Sequence, residues 1–422
     1  MITTMRPCPD DVLIVGAGLS GLACARRLHK QGVPVHVIEA ADRVGGRIRT
    51  DEMDGFRLDR GFQVLLTAYE EVRAQVDLTA LDPRPFKAGS IIWTGTRLET
   101  LGDPYRNPSS VISTLGASVG SFLDKMKVAS LRRRLLARPP EECFTGPERS
   151  TQEELDALGF SDEFIDAFFR PFLGGVFLER GLETSASLFR YYFRCFSAGH
   201  AVLPARGMQR LPESLATELD ARISLGVRAR AVSPTTVTLD DGTVLEGRQV
   251  VLATDGAASA RLLGEEVPST KATITSYYAT SEAPTHESML ILDGEGLGPA
   301  NHVAVLSAIS SEYAPEGQHL VSVSGVDQAA DDPESFRVEA PKQLRAWFGP
   351  SVDLWTHLAT YRVPHALPRH PTGSLDVETP VRRPDGLVVA GDHTVFGSIQ
   401  GALLSGRRAA ESVLDSALLS TR

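Results

Sequence analysis

The chain has 422 residues, 42% of them apolar and 23% charged, with a formal net charge of -10 at neutral pH. That length exceeds one ordinary hydrophobic core, so two or three domains are expected. The acidic balance argues against nucleic acid as a partner, because neutralising phosphates takes a basic face, and without a run of 18 apolar residues no membrane span is expected.

The start, "MITTMRPCPD", has no basic flank leading into an apolar stretch, so no secretory signal is read there and a cytoplasmic location is expected. Cys8, Cys24, Cys143 and Cys195 form no C-x-x-C pair, and the ten histidines show no metal-ligand spacing. Reduced, structural thiols and no metal site follow from that. "DVLIVGAG" predicts a buried strand, "LSGLACARRLHKQG" a helix closed by Gly32, and "VPVHVIEA" a second strand, together one β-α-β unit. Between the first strand and the helix stands "GAGLSG". Gly16 allows the tight turn, Gly18 admits a pyrophosphate to the backbone, and Gly21 lets helix and sheet pack closely. Leu19 and Ser20 open the helix, whose free N–H groups favour phosphate. Glu39, followed by Ala40, ends the second strand, where a carboxylate accepts from ribose hydroxyls and repels a 2′-phosphate. Next comes "ADRVGGRIRT". Gly45 and Gly46 permit close backbone approach, and Arg47 can donate to a phosphate. This second loop fits FAD, whose flavin lies further from its adenine, better than a nicotinamide dinucleotide.

From Leu101 to Arg194 the pattern is mostly helical, punctuated by prolines. "EFIDAFFRPFLGGVFLERG" is rich in phenylalanine and reads either as core or as the wall of an apolar tunnel. "SFLDKMKVASLRRRLLARPP" reads as a solvated charged helix or as a basic helix lying on an anionic membrane surface. Strands return at 225–256, with a hairpin turn at Asp241-Gly242, and continue through 270–324. The segment "GLVVAGDHTVFGSIQGALLSGRRAA" repeats the opening order of strand, turn and helix.

"DVLIVGAGLSGLACARRLHKQGVPVHVIEAADRVGGRIRT" resembles the opening signature of FAD-dependent amine oxidases, protoporphyrinogen oxidases and phytoene desaturases. "VVAGDHTVFGSIQGALLSGRRAA" resembles the same superfamily's closing flavin motif, and "LPARGMQRLPESLA" its P-x-G-G-M-x-x-L segment, with Arg206 in place of the first glycine. "YRVPHALPRH" is similar to a loop of protoporphyrinogen oxidases, and "LDRGFQVLLTAYEEV" to the D-x-G segment of phytoene desaturase-like and squalene-pathway flavoproteins. The resemblance implies an α/β protein with a discontinuous, Rossmann-like FAD domain of the GR2 type, drawn from residues 1–80, 204–265 and 375–422. A substrate domain of mixed sheet with a helical insertion would occupy 81–203 and 266–374. It implies FAD contacts from Gly61, Phe62 and Gln63, from Val227 at the adenine, and from Gly391, Asp392, Ser398, Ile399, Gln400, Gly401 and Ala402. The helix after Gly401 would direct its positive end at the flavin.

The implied activity is removal of a hydride from a hydrophobic small molecule, of isoprenoid or tetrapyrrole kind, onto FAD that oxygen or a quinone reoxidises. No cysteine follows Cys195, so the flavin is expected to be noncovalent. An amine oxidase forming imine and hydrogen peroxide, and a flavin-dependent isomerase, are the alternatives. Amine oxidases place a lysine near the flavin from a K-x-x-x-Y-Y strand; here "KATITSYY" puts Thr273 at that spacing, and Lys271 reads as a solvated lysine at the strand end. The sequence fixes no catalytic group: Gln63, Lys271 and His365 are the candidates, with His370 and His393 as further flavin-facing options. Peripheral membrane contact and the oligomeric state stay open.

Overall fold

The computed structural model describes residues 7–108, 114, 116–219, 222–376 and 378–420, with side chains as far as 416. Its first sheet is parallel and five-stranded, in the order Ile223–Ser224, Val35–Ile38, Val12–Val15, Gln249–Leu252, Val388–Val389. Every residue of Val12–Val15 and Val35–Ile38 is buried, as expected of a strand covered on both faces. One face carries the helices Leu19–Lys30 and Ile399–Ser420. The other carries the antiparallel strands Ala229–Val232, Thr236–Leu239 and Val244–Glu246, whose Val237 joins Leu13, Val250 and Leu252 in a dry cluster.

The second sheet is mixed and seven-stranded: Thr356–Pro368, Thr270–Thr280, His319–Val326, His302–Val305, Leu290–Asp293, Gly89–Trp93, Leu98–Gly102. Its one parallel pairing joins Leu290–Asp293 to Gly89–Trp93. Phe336, Ala340, Leu344 and Trp347 of the helix Pro333–Phe348 cover one face, packed on Ile274, Ile291 and Val323. Helices between Phe122 and Ala198 surround the other side of the cavity described below.

Two expectations change. "RVPHALPRH" is not a loop: residues through Pro368 belong to the 13-residue strand Thr356–Pro368. Its prolines suggested a break, but the strand lies at the sheet edge, where a missing N–H costs no ladder bond. The phenylalanine-rich segment serves as both core and wall. Phe164 and Phe169 are buried, and Phe164 also lines the cavity together with Phe168 and Phe172, which stack at 5.6 Å. A π-helical turn runs over Ile165–Phe169 within this segment.

The two chain ends meet through small residues. A Cβ at Gly406 would lie 2.2 Å from the Ser20 carbonyl oxygen. Ser405 Oγ, 3.2 Å from Ser20 Oγ, accepts from the Gly391 N–H at 2.9 Å. In an exposed helix Gly→Ala gains about 1 kcal/mol. Here Gly406→Ala should instead cost about 1–3 kcal/mol from overpacking, read as a lower denaturant midpoint. An equal or higher midpoint would contradict the close helix contact.

Candidate active site

A cavity of about 1050 Å³ runs between the two sheets. Gly16, Gly18, Leu19, Ser20, Glu39, Ala40, Gly45, Gly46, Arg47, Gly61, Phe62, Gln63, Val227, Gly391, Asp392, Ser398, Ile399 and Ala402 all line it. The glycines of the first turn divide by cause. At Gly16 (φ +107°) a Cβ would lie 2.8 Å from the Ala253 carbonyl oxygen, and at Gly21 it would lie 1.9 Å from that of Gly16. Packing accounts for both. At Gly18 a Cβ would meet nothing within 4 Å. The space in front of Gly18 is therefore kept for something other than protein. The helix Leu19–Lys30 has no side-chain cap and no acid in its first turn, so its N–H groups stay available to an anion.

The acidic partner is held firmly. Glu39 accepts from the Ala17 N–H at 2.6 Å and from the Ala41 N–H at 2.8 Å. Gly45 donates to the Ala17 carbonyl at 2.8 Å, which ties the second loop to the first turn. Asp59 braces the wall at Gly61–Gln63. It is 3% exposed, accepts from Thr50 Oγ1, from the Met208 N–H at 3.0 Å and from the Tyr313 hydroxyl at 2.9 Å, and burial pushes its pKa up to about 6. Gln63 donates to the Arg47 carbonyl at 3.0 Å, leaving its buried Oε1 without a protein partner.

The opposite wall comes from the other chain end. Ser398 Oγ accepts from the Gly401 N–H at 2.8 Å and caps the helix, which starts at Ile399, two residues before the expected Gly401. Arg47 and Asp392, expected to meet the cofactor separately, meet each other: Nη2 donates to Oδ1 at 2.6 Å. Nη1 donates to the Ala366 carbonyl at 2.7 Å. Burial opposes the guanidinium charge, and Asp392 outweighs it, so the Arg47 pKa is raised. Gly21 packs closely, as its spacing predicts, and does not itself line the cavity. Two residues expected at the cofactor pack instead: a Cβ at Gly401 would strike the Phe396 carbonyl oxygen at 1.9 Å, and Gln400 accepts from the Glu71 N–H at 2.9 Å.

The histidine and lysine candidates also change. Lys271 is not solvated. It is 9% exposed, with Nζ 2.9 Å from Glu179 Oε2 and 2.7 Å from Thr184 Oγ1, and burial lowers its pKa. It does not line the cavity, whereas Thr273 does. The two stand two residues apart on one strand, beside a register shift whose extra residues lie on the partner strand between Val363 and Leu367, and it is the pairing with Glu179 and Thr184 that holds Lys271 away from the cavity. His365 sits in the edge strand, its Nδ1 2.8 Å from Thr270 Oγ1 and outside the cavity wall. His370 accepts from the Gly397 N–H at 3.1 Å, burial pushing its pKa down to about 4. His393 packs against Gly256 and Gly391 rather than lining the cavity.

Two cavity residues, His302 and Arg106, had no signal in the sequence, and a third, Arg132, belongs to the basic run already read as a charged helix. His302, in the buried strand His302–Val305, lies against Phe62 with ring centroids 5.0 Å apart. Arg106 donates to the carbonyls of Phe196 (2.7 Å) and Ser197 (2.8 Å). Arg132 donates to Ser197 at 3.2 Å and lies 4.6 Å over the Tyr105 ring. These arginines share the wall with the exposed Tyr105, Phe122 and Met126. The basic run at 132–134 was visible, but nothing in the sequence pairs Arg132 with Arg106, 26 residues earlier.

Turn, acid, second loop and capped helix, drawn from both chain ends, line one cavity with an aromatic chamber beside them. Residues 19–414 match the family described as flavin containing amine oxidoreductase, and the chain belongs to it. It is an FAD-dependent oxidoreductase. The chain is 26% identical to a coproporphyrinogen III oxidase of Mycobacterium leprae, over 95% of this chain and 97% of that protein. It is 42% identical to a hydroxysqualene dehydroxylase of Sinorhizobium fredii over 67 residues, 15% of this chain and 16% of that protein. A putrescine oxidase solved with bound putrescine superposes with a TM-score of 0.72 at 19% identity, over 96% of this chain and 99% of that one, which shows a shared fold. Among the described residues no helix is long and apolar enough to cross a membrane.

Gly18 gives a clean test. Its φ of -71° suits any residue, and a side chain there meets open space. Gly18→Val should match the wild-type denaturant midpoint when both are free of FAD, yet retain no more than about a tenth of the bound flavin. A variant that remains fully yellow would refute the assignment of this space to the cofactor.

Proposed function

We propose that the chain oxidises a large, apolar substrate carrying an anionic group, of porphyrinogen or isoprenoid kind, and passes the electrons to oxygen or a quinone. The observation that carries this reading is the chamber's composition. Phe62, Phe86, Phe168, Phe172, Phe196 and Leu290 make it greasy, while Arg106 and Arg132 add paired positive charge. Burial, and after it the neighbouring Arg132, lowers the Arg106 pKa against the opposing pull of Asp103, 3.7 Å away, so the two arginines leave one net positive charge here. Arg132 Nε is buried without a partner. A carboxylate or phosphate on the substrate would answer both arginines.

FAD, when bound, supplies the two-electron acceptor. Around it the turn at Gly18 and the N-terminus of Leu19–Lys30 would hold the pyrophosphate. The Ser398-capped helix would place partial positive charge against the flavin. Gln63 Oε1 would accept from the cofactor or the substrate, and the phenylalanines would exclude water. The full-length similarity to a coproporphyrinogen III oxidase supports a porphyrinogen. Thr273 in the wall, where amine oxidases by resemblance carry lysine, speaks against an amine. The proposed division is a GR2-type FAD domain of residues 1–80, 204–265 and 375–422, with a substrate domain of 81–203 and 266–374. The strands of the parallel and mixed sheets fall on opposite sides of it.

The exposed Phe122, Leu123 and Met126, beside Lys125 and the exposed Arg133 and Arg134, would rest on an anionic bilayer as a substrate enters. Sedimentation with phosphatidylglycerol vesicles should carry the wild type down and leave Phe122→Ser/Leu123→Ser in solution. Equal sedimentation of both would remove this contact.

Under nitrogen, coproporphyrinogen III should bleach the bound flavin and putrescine should not. Arg106→Ala/Arg132→Ala should raise KM at least about tenfold while leaving kcat within about threefold, as expected for lost charge-assisted bonds made equally in ground and transition states. Bleaching by putrescine alone, or an unaltered KM in the double variant, would overturn the proposal.

A further inference from the structure

His302 is the one histidine in the cavity wall, and the hydrogen bonds around it decide which of its nitrogens carries the proton. The chain of bonds begins at Arg180. Its Nη1 lies 3.2 Å from Asn301 Oδ1, and a guanidinium can only donate. On the other side, Asn301 Nδ2 lies 2.8 Å from the Pro171 carbonyl, which can only accept. The amide is thereby oriented, with oxygen toward Arg180 and nitrogen toward Pro171. The second amide hydrogen meets His302 Nδ1 at 3.1 Å. An amide nitrogen does not accept, so Nδ1 is the bare nitrogen and Nε2 bears the hydrogen.

The ring is 3% exposed, and burial pushes its pKa down to about 4, so it is neutral at physiological pH. Nε2–H is left buried without a hydrogen-bond partner. Glycine at 175 allows the ring its place, since a Cβ there would press on it at 3.1 Å. Phe62, half-buried and lining the same cavity, packs against the ring. An unpaired donor beside an apolar chamber is costly to leave empty. A neutral ring offers its partner a hydrogen bond but no countercharge, and among the phenylalanines of this wall an uncharged acceptor costs less to bury than an anion.

We propose that His302 is a specificity-determining residue that donates from Nε2 to an uncharged oxygen, a hydroxyl, ether or carbonyl, on the otherwise apolar part of the substrate. Asn301 and Arg180 are positioning residues that hold the tautomer. The proposal rests on the reading of the chamber as an apolar substrate site.

The test uses the FAD-loaded enzyme and two probes of equal carbon skeleton, farnesol and farnesene, titrated against the absorbance of the bound flavin. Comparing wild type with variant for each probe cancels their different hydration. His302→Phe should weaken farnesol about 3- to 10-fold, as expected for one neutral hydrogen bond, and leave farnesene within about twofold. His302→Gln, which keeps an N–H donor, should recover most of the loss. Nitrogen-15 NMR of the imidazole should show the Nε2–H tautomer in wild type. In Asn301→Asp, whose carboxylate accepts, it should show a proton on Nδ1. Equal weakening of both probes by His302→Phe, loss of FAD from that variant, or an Nδ1–H tautomer in wild type would overturn the assignment of His302. If neither probe perturbs the flavin of the wild type, the apolar-chamber reading itself fails and takes this inference with it.

Discussion

The structure depends on the contact between the first helix and the last. Leu19–Lys30 and Ile399–Ser420 approach so closely that Gly406 lies directly against the Ser20 carbonyl, and two serine hydroxyls fill what little space remains. This contact holds the capped N-terminus at Ser398 and the uncapped one at Leu19 on the wall of one cavity. Strand Val388–Val389, added to the edge of the parallel sheet beside Gln249–Leu252, delivers the chain to that point. Several hundred residues of loop closure separate the two ends, and loop-closure entropy grows only slowly with that length. Extensive burial on both faces of the sheet can offset it.

The site that results is economical in charge. Arg47 and Asp392 neutralise each other across the junction of the two ends, so neither stands buried and unpaired. Glu39 is satisfied by backbone N–H groups. Polar atoms without protein partners are then few on this wall. Gln63 Oε1, Arg132 Nε and His302 Nε2 stand out, all on residues that line the cavity. Arg132 and His302 lie on the aromatic side of the cavity, whereas glycines and backbone groups line the side of the first turn.

Much of the fold was legible because it rests on local pattern. Gly16, Gly18 and Gly21 fall between an apolar strand and a helix, and Glu39 ends the next strand; those spacings hold whatever surrounds them. The closing motif at Gly391–Asp392 was readable for the same reason. What could not be read depends on tertiary context. Lys271 and Thr273 stand two residues apart on one strand, and local pattern does not disclose that Glu179 and Thr184 pair with the first and leave the second in the chamber wall. Pro364 and Pro368 suggested a loop, since the sequence does not disclose that their strand lies at an edge. Gln400 and Gly401 sit within a cofactor motif but pack inward, because the helix begins at Ile399 and its phase sets their direction. His302, Arg106 and Arg132 come from a strand and two segments remote in sequence, and only the folded chain brings them together.

The central claim is that both ends of the chain bind one FAD jointly. Hydrogen exchange of the FAD-free protein, with and without added FAD, measures it most directly. The account predicts that FAD slows exchange together at 17–22, 43–48 and 397–402, with one shared dependence on FAD concentration. Slowing confined to the first segment, or separate dependences at the two ends, would contradict it.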